Sequence, residues 1–167
     1  MAGEPRTIAA FRRHLPRRVA ERIAGTVPGG RYEAVSAILE RAAAFIAELG
    51  GEEIGAAVDA VLTEAAKGGH AVAGISASLE AASRGSVHCL YVLRAFAEPG
   101  RMCVVCGILE PGQASSCSRC GNEARPVELG EALVDRVLAT GGKVETVSAH
   151  RGLASAGGVA ARLRYPL

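Results

Sequence analysis

Four of the chain's five cysteines stand as Cys103-Val104-Val105-Cys106-Gly107 and Cys117-Ser118-Arg119-Cys120-Gly121, with ten residues between the pairs. This spacing constrains the fold more than any other stretch. Two Cys-x-x-Cys-Gly turns facing each other across a short hairpin set four thiolates at the corners of a tetrahedron, the arrangement Zn²⁺ prefers in a structural site. Glycine after each second cysteine lets the backbone turn tightly and aim amide hydrogens at the sulfurs, which spreads the thiolate charge. The reading is a zinc ribbon over residues 101–125, with Cys103, Cys106, Cys117 and Cys120 as ligands. With sulfur in all four positions no site is left for water or substrate, so such a metal is structural and not catalytic. Two disulfides, a redox pair or an Fe–S site are the other readings of the same cysteines. Arg6, Arg12 and Arg13 interrupt the first stretch, and no apolar core of signal-peptide length follows. The expected compartment is therefore reducing and cytoplasmic, where metal is favoured over disulfide.

At 167 residues the chain is long enough for one well-filled core or a small domain with an appendage. Alanine and glycine supply much of the 49% hydrophobic fraction and aromatics only 4%, so helices are expected to pack closely through small side chains. No stretch reaches the length of a membrane span. The net charge of +2 hides an asymmetry: residues 1–31 hold seven arginines against Glu4 and Glu21, whereas residues 32–100 hold nine acids against four bases. Arg12, Arg13, Arg17 and Arg18 of this basic arm are candidate RNA contacts, although a solvated helix face explains them as well and no aromatics interleave.

The periodicity predicts a helical N-terminal segment over residues 1–67. Thr7–Ala24 reads as helix broken at Pro16, and the turn-forming run 25–30 ends it. Glu33–Leu49 is predicted as a helix burying Val35, Ile38, Leu39, Ala42, Phe45, Ile46 and Leu49, stopped by Gly50-Gly51. A second helix, Glu52–Lys67, is expected to pack antiparallel on the first through Phe45, Ile46, Val58 and Leu62. Residues 68–167 then alternate: an apolar run Ala71–Ala73, a helix capped by Ser76, a strand Val87–Leu93 covered on both faces, the ribbon, a helix over Glu128–Thr140, and strands Val144–Val147 and Gly158–Tyr165. The fold class is α/β, a sandwich of helices and sheet with the zinc hairpin inserted.

The run Gly68-Gly69-His70-Ala71-Val72-Ala73-Gly74, Gly85-Ser86-Val87 opening an apolar strand, the Cys-x-x-Cys ribbon, a helix ending in Gly-Gly-Lys, a Val-Glu-Thr-Val strand and Gly157-Gly158-Val159-Ala160-Ala161-Arg162-Leu163-Arg164-Tyr165 carry a resemblance. Together they resemble the C-terminal domain of the archaeal and eukaryotic class-one peptide release factors and Pelota, most of all their bacterial relatives. Residues 15–23 and the two helices after them look like the tail of that family's middle domain, so the likeness covers about 12–167. It implies a three-layer α/β sandwich like the kink-turn-binding ribosomal proteins, a ribbon that some members carry, and docking to a translational GTPase and the ribosome. The family's Gly-Gly-Gln loop is missing: Gly-Gly is followed here by Arg31, Glu52, His70, Lys143 and Val159.

No enzyme is read in the chain. His14, His70, His88 and His150 are scattered over different elements, no serine stands in a Gly-x-Ser-x-Gly elbow, and Cys89 sits mid-strand as a small hydrophobe. The expected function is a non-catalytic, ribosome-associated translation adaptor with a structural zinc. The alternatives are a zinc-ribbon nucleic-acid binder using the arginine arm and a fragment of a peptidyl-tRNA-hydrolysing release factor.

Overall fold

Prolines and glycines divide the N-terminal region into short pieces, as the sequence predicts. The computed structural model describes residues 1–166, in two units, Met1–Glu52 and Glu53–Leu167. In the first, strand β1 (Ala2–Gly3) precedes α1 (Pro5–Arg12), whose leading proline occupies a position where no amide is needed. Pro16 separates it from α2 (Arg17–Ala20), and β2 (Val27–Pro28) returns to pair in parallel with β1. Ile8 and Val27 are buried here. Gly25 lies against the Phe45 ring so closely that a Cβ would come within 2.2 Å of it.

Val35–Ala66 is a single helix, α3. The expected stop at Gly50-Gly51 does not occur, and with it the antiparallel helix pair is lost. A helical glycine costs about 1 kcal/mol relative to alanine, and the alanines, leucines and glutamates on either side outweigh two of them. The predicted stripe also fails in part, because Val35, Leu39 and Ile46 are exposed. In the second unit the stripe holds: Val58 and Val61 are buried.

The second unit is built on a mixed four-stranded sheet of β3 (Ala71–Ala73), β9 (Val159–Leu163), β4 (Val87–Leu93) and β8 (Lys143–Val147), in that order. Strands β4 and β8 run parallel, whereas β9 is antiparallel to both its neighbours. Helix α4 (Ile75–Ser83) and helix α5 (Leu129–Ala139) supply Leu79, Ala81, Ala82, Leu129, Leu133 and Val137 to one core, with Val87, Leu90, Val159, Ala161 and Leu163 from the sheet. A second core joins Val58 and Val61 of α3 and Leu153 of α6 (Arg151–Ser155) to Ala71, Cys89, Tyr91, Val147 and Ala160.

Simple alternation along β4 would place Val87 with Cys89 and Tyr91. A register shift between Val87 and Cys89 intervenes, leaving His88 exposed and sending Val87 to the core of Leu90. One smaller expectation is corrected: Ser76 lies inside α4, whose cap is Gly74 with no side-chain hydrogen bond. Leu138 of α5 is exposed, and α6 carries no clear periodic signal in the sequence. His150 caps α6, its Nδ1 accepting the Leu153 amide at 3.2 Å.

The ribbon is a three-stranded antiparallel sheet, β6 (Leu109–Pro111), β5 (Pro99–Cys103) and β7 (Ala124–Glu128), with β5 in the middle. Leu109 joins the core of Leu129 and Leu133, with Met102 and Val127 packed at its margin. Gly100 leaves room for Leu129, whose side chain would stand 2.4 Å from an added Cβ. Glu128 then caps α5, its carboxylate accepting the Gly130 and Glu131 amides. No helix of the described residues is long and apolar enough to cross a membrane.

Two predictions follow from this packing. A Cβ at Gly50 or Gly51 meets nothing within 4 Å, so Gly51→Ala is expected to stabilise the chain by about 0.5–1 kcal/mol in chemical denaturation, whereas a loss would mean that the helix breaks there. Burial raises the Tyr91 phenol from 10.0 to about 12. Its neutral form therefore contributes stability that is complete below pH 10 and is lost as pH climbs from 10 through 12. Tyr91→Phe is expected to flatten the fall of Tm across that window.

Candidate metal centre

The two cysteine turns are built alike. In the first, β5 delivers Cys103, the Cys106 amide donates to Cys103 Sγ at 3.4 Å, and the Gly107 amide donates to the Cys103 carbonyl at 3.0 Å. In the second, the Arg119 amide donates to Cys117 Sγ at 3.4 Å and the Gly121 amide to the Cys117 carbonyl at 3.0 Å. Both turns close through a glycine in the left-handed region, Gly107 at φ 68° and Gly121 at φ 71°. A side chain there would be strained, which explains the residue type after each pair.

These turns bring all four sulfurs within 4.8 Å of one another. The Cys103–Cys120 separation is 3.5 Å, Cys106–Cys117 3.6 Å and Cys106–Cys120 3.7 Å. A disulfide needs about 2.05 Å, so none of these pairs is bonded. A tetrahedral metal with bonds of about 2.3 Å spaces its sulfurs about 3.8 Å apart, close to what the chain presents. The four cysteines named from the sequence are therefore together, and their donor set fits a metal ion. Cys103 and Cys117 are buried, Cys106 and Cys120 exposed. Cys89 is buried in the second core and takes no part, its thiol pushed up by burial.

The thiols differ in acidity. The Cys106 amide and other donors lower Cys103, and hydrogen bonding from Asn122 lowers Cys120 to about 6. At Cys106 the Ile108 amide favours the thiolate, but burial and the thiols of Cys103, Cys117 and Cys120 outweigh it and raise the group to about 12. One thiolate thus forms readily while its neighbour resists a second negative charge. A divalent cation bound by the four sulfurs would remove that conflict, and its uptake would displace protons.

Side chains outside the cysteine pattern hold the turns. Arg136 of α5 donates to the Gly107 carbonyl at 2.5 Å, tying the first turn to the core. Glu110 of β6 accepts from Arg101 Nε at 3.2 Å and from the Ser118 amide at 3.3 Å, and the Ser118 hydroxyl also donates to it. The Ser118 hydroxyl above all, and Arg101, hold the Glu110 carboxyl below the usual range. Sequence reasoning missed Arg101, Glu110 and Arg136; opposite charges at Arg101 and Glu110, on strands that pair, were the available signal.

The candidate RNA-contacting arginines lie in the first unit. Arg12 ends α1, Arg13 follows it, and Arg17 and Arg18 open α2; all four are exposed. Arg17 pairs with Glu21 at 2.8 Å, a contact in full solvent. Among the described residues Arg12, Arg13 and Arg18 have no ion-pair partner. His14 and His70 are exposed in turns and His88 on β4, and His150 stands 3.4 Å from Asp59.

No family model matches the chain, and no curated protein does. Solved structures do. The C-terminal domain of a peptide chain release factor from Methanosarcina mazei is 22% identical, with a TM-score of 0.58 over 81% of this chain and 98% of that one. Pelota from Archaeoglobus fulgidus is 20% identical, with a TM-score of 0.56 over 99% of this chain and 48% of that one. Archaeal Pelota, from a model of ribosome-bound Pelota and ABCE1, is 22% identical, with a TM-score of 0.64 over 99% of this chain and 43% of that one. The chain spans less than half the length of these Pelota chains. The fold of this chain is that of the C-terminal domain of an archaeal peptide chain release factor, shared with the corresponding part of Pelota.

Proposed function

We propose that this chain is a non-catalytic adaptor of translation, docking on the ribosome, a translational GTPase or both, with a structural Zn²⁺ held by Cys103, Cys106, Cys117 and Cys120. The observation that carries it is the fold likeness over 98% of a release-factor C-terminal domain, joined to the absence of a Gly-Gly-Gln loop from the sequence. One of the Pelota neighbours is itself ribosome-bound. The organisation that goes with this reading is a helical segment over 1–67 and a release-factor-like domain over 68–167. That domain is a three-layer sandwich of the kink-turn-binding ribosomal type, with the ribbon inserted and a cytoplasmic setting. The two cores on the sheet support that layering.

Zinc would be held by four thiolates with no open position, so its contribution is to the ribbon's order. A second reading, RNA binding by the arginine arm, is favoured by the exposure of Arg12, Arg13, Arg17 and Arg18. The third, a part of a peptidyl-tRNA-hydrolysing factor, is compatible with a chain that spans less than half of Pelota.

Elemental analysis is expected to find one zinc per chain, lost in Cys106→Ser. Metal-free protein with its cysteines disulfide-bonded would overturn the site. Because Leu109 belongs to the main core, stripping the metal is expected to lower the Tm of the second unit as a whole and to release amide protection most strongly in the ribbon.

The protein is expected to co-sediment with ribosomes or bind a translational GTPase, and not to release peptide from peptidyl-tRNA. Replacing Arg12, Arg13, Arg17 and Arg18 together with serine separates the readings. An adaptor acting through the α/β domain keeps its partner, and any RNA component loses about 0.7–0.9 of salt slope per phosphate contact removed. Complete loss of ribosome binding at low salt in that variant would overturn the adaptor and leave the nucleic-acid reading.

A further inference from the structure

Glu110 links the hairpin of the first cysteine turn to the second turn. It stands on β6 directly across from Arg101 of β5 in the antiparallel register, and their ion pair, 3.2 Å long, leaves the two side chains 15% and 14% exposed. The carboxylate also receives the backbone amide and the hydroxyl of Ser118, the residue that follows Cys117, the amide on the oxygen that Arg101 Nε shares and the hydroxyl on the other. Inside the turn the Arg119 amide is already committed to Cys117 Sγ. The Ser118 amide is thus available to grip the turn from outside.

We propose that Glu110 is a positioning residue of the metal centre: by holding the Cys117–Cys120 turn against the first cysteine hairpin, it determines how tightly the cation is bound and how slowly it leaves. It makes no contact with a sulfur. Its effect runs through Ser118, by two hydrogen bonds to an ionised acceptor, which are stronger than neutral ones. Arg101 orients the carboxylate and offsets its negative charge beside a centre that already gathers thiolates. Without Glu110 the turn would have to be ordered as the metal binds, and that lost freedom would come out of the affinity. Loss of such a partner outside the ligand shell typically weakens metal binding about 10–100-fold.

The proposal rests on reading the four cysteines as a metal site, and one experiment separates the two. Full-length protein is loaded with zinc, and affinity and release are measured by competition with a chromophoric chelator. Cobalt-loaded samples report coordination, and far-UV circular dichroism reports the fold. Wild-type protein that takes up no zinc overturns the site reading itself. Given an occupied site, Glu110→Gln is expected to bind zinc about 10–100-fold more weakly and to release it faster. The cobalt spectrum of a four-thiolate tetrahedron and the fold of the metal-free protein are expected to stay unchanged. Ser118→Ala, which spares the Arg101–Glu110 pair, is expected to show a smaller loss in the same direction, and Glu110→Asp an intermediate one. Wild-type affinity and release in Glu110→Gln would overturn the proposal. Should that variant fail to fold, wild-type zinc affinity in Ser118→Ala would overturn it instead.

Discussion

Strands β4 and β9 are buried from both sides, and the second unit is arranged around that burial. Leu90, Val159 and Ala161 face the core made with α4 and α5, while Cys89, Tyr91 and Ala160 face the core made with α3 and α6. The shift at Val87 and Cys89 is the one place where alternation is broken. There it moves a valine into the larger core and places His88 in solvent.

The ribbon depends on that core as well as on its cysteines. Leu109 is buried among α5 side chains, Gly100 admits Leu129, and Arg136 reaches back to the Gly107 carbonyl. The first turn is thereby referred to the α/β scaffold, whereas the second is held from within the ribbon by Glu110 and Ser118. A metal site assembled from two turns needs both, because four sulfurs must converge to within the few ångströms that a tetrahedron allows.

The first unit has a different character. Arg12, Arg13, Arg17 and Arg18 are solvated, its strands are two residues long, and much of the apolar stripe on the first half of α3 is exposed. Such a surface is electrostatically active at low salt and contributes little to folding energy. Function still has to be argued from sites, since one fold supports many activities.

The convergence of the four cysteines was legible in the sequence because its geometry is local. Two Cys-x-x-Cys-Gly turns specify their own geometry, and the only long-range requirement is that they meet. Strand β9 was legible for a similar reason: Val159, Ala161 and Leu163 alternate with small or charged residues and turn to one core, while Ala160 turns to the other. Helix α3 was not. Gly50-Gly51 reads as a stop by local propensity, yet the energy of two helical glycines is small beside the helix formers around them. Exposure of Val35, Leu39 and Ile46 could not be read either, because periodicity reports that a face is apolar and not that anything covers it. Of the side chains gripping the cysteine turns, Arg101 and Glu110 offer only their opposite charges as a signal, and Arg136 offers none. Their roles arise from strand register and from the approach of α5 to the ribbon, and only the tertiary structure decides which residues distant in the chain come within reach of a hydrogen bond.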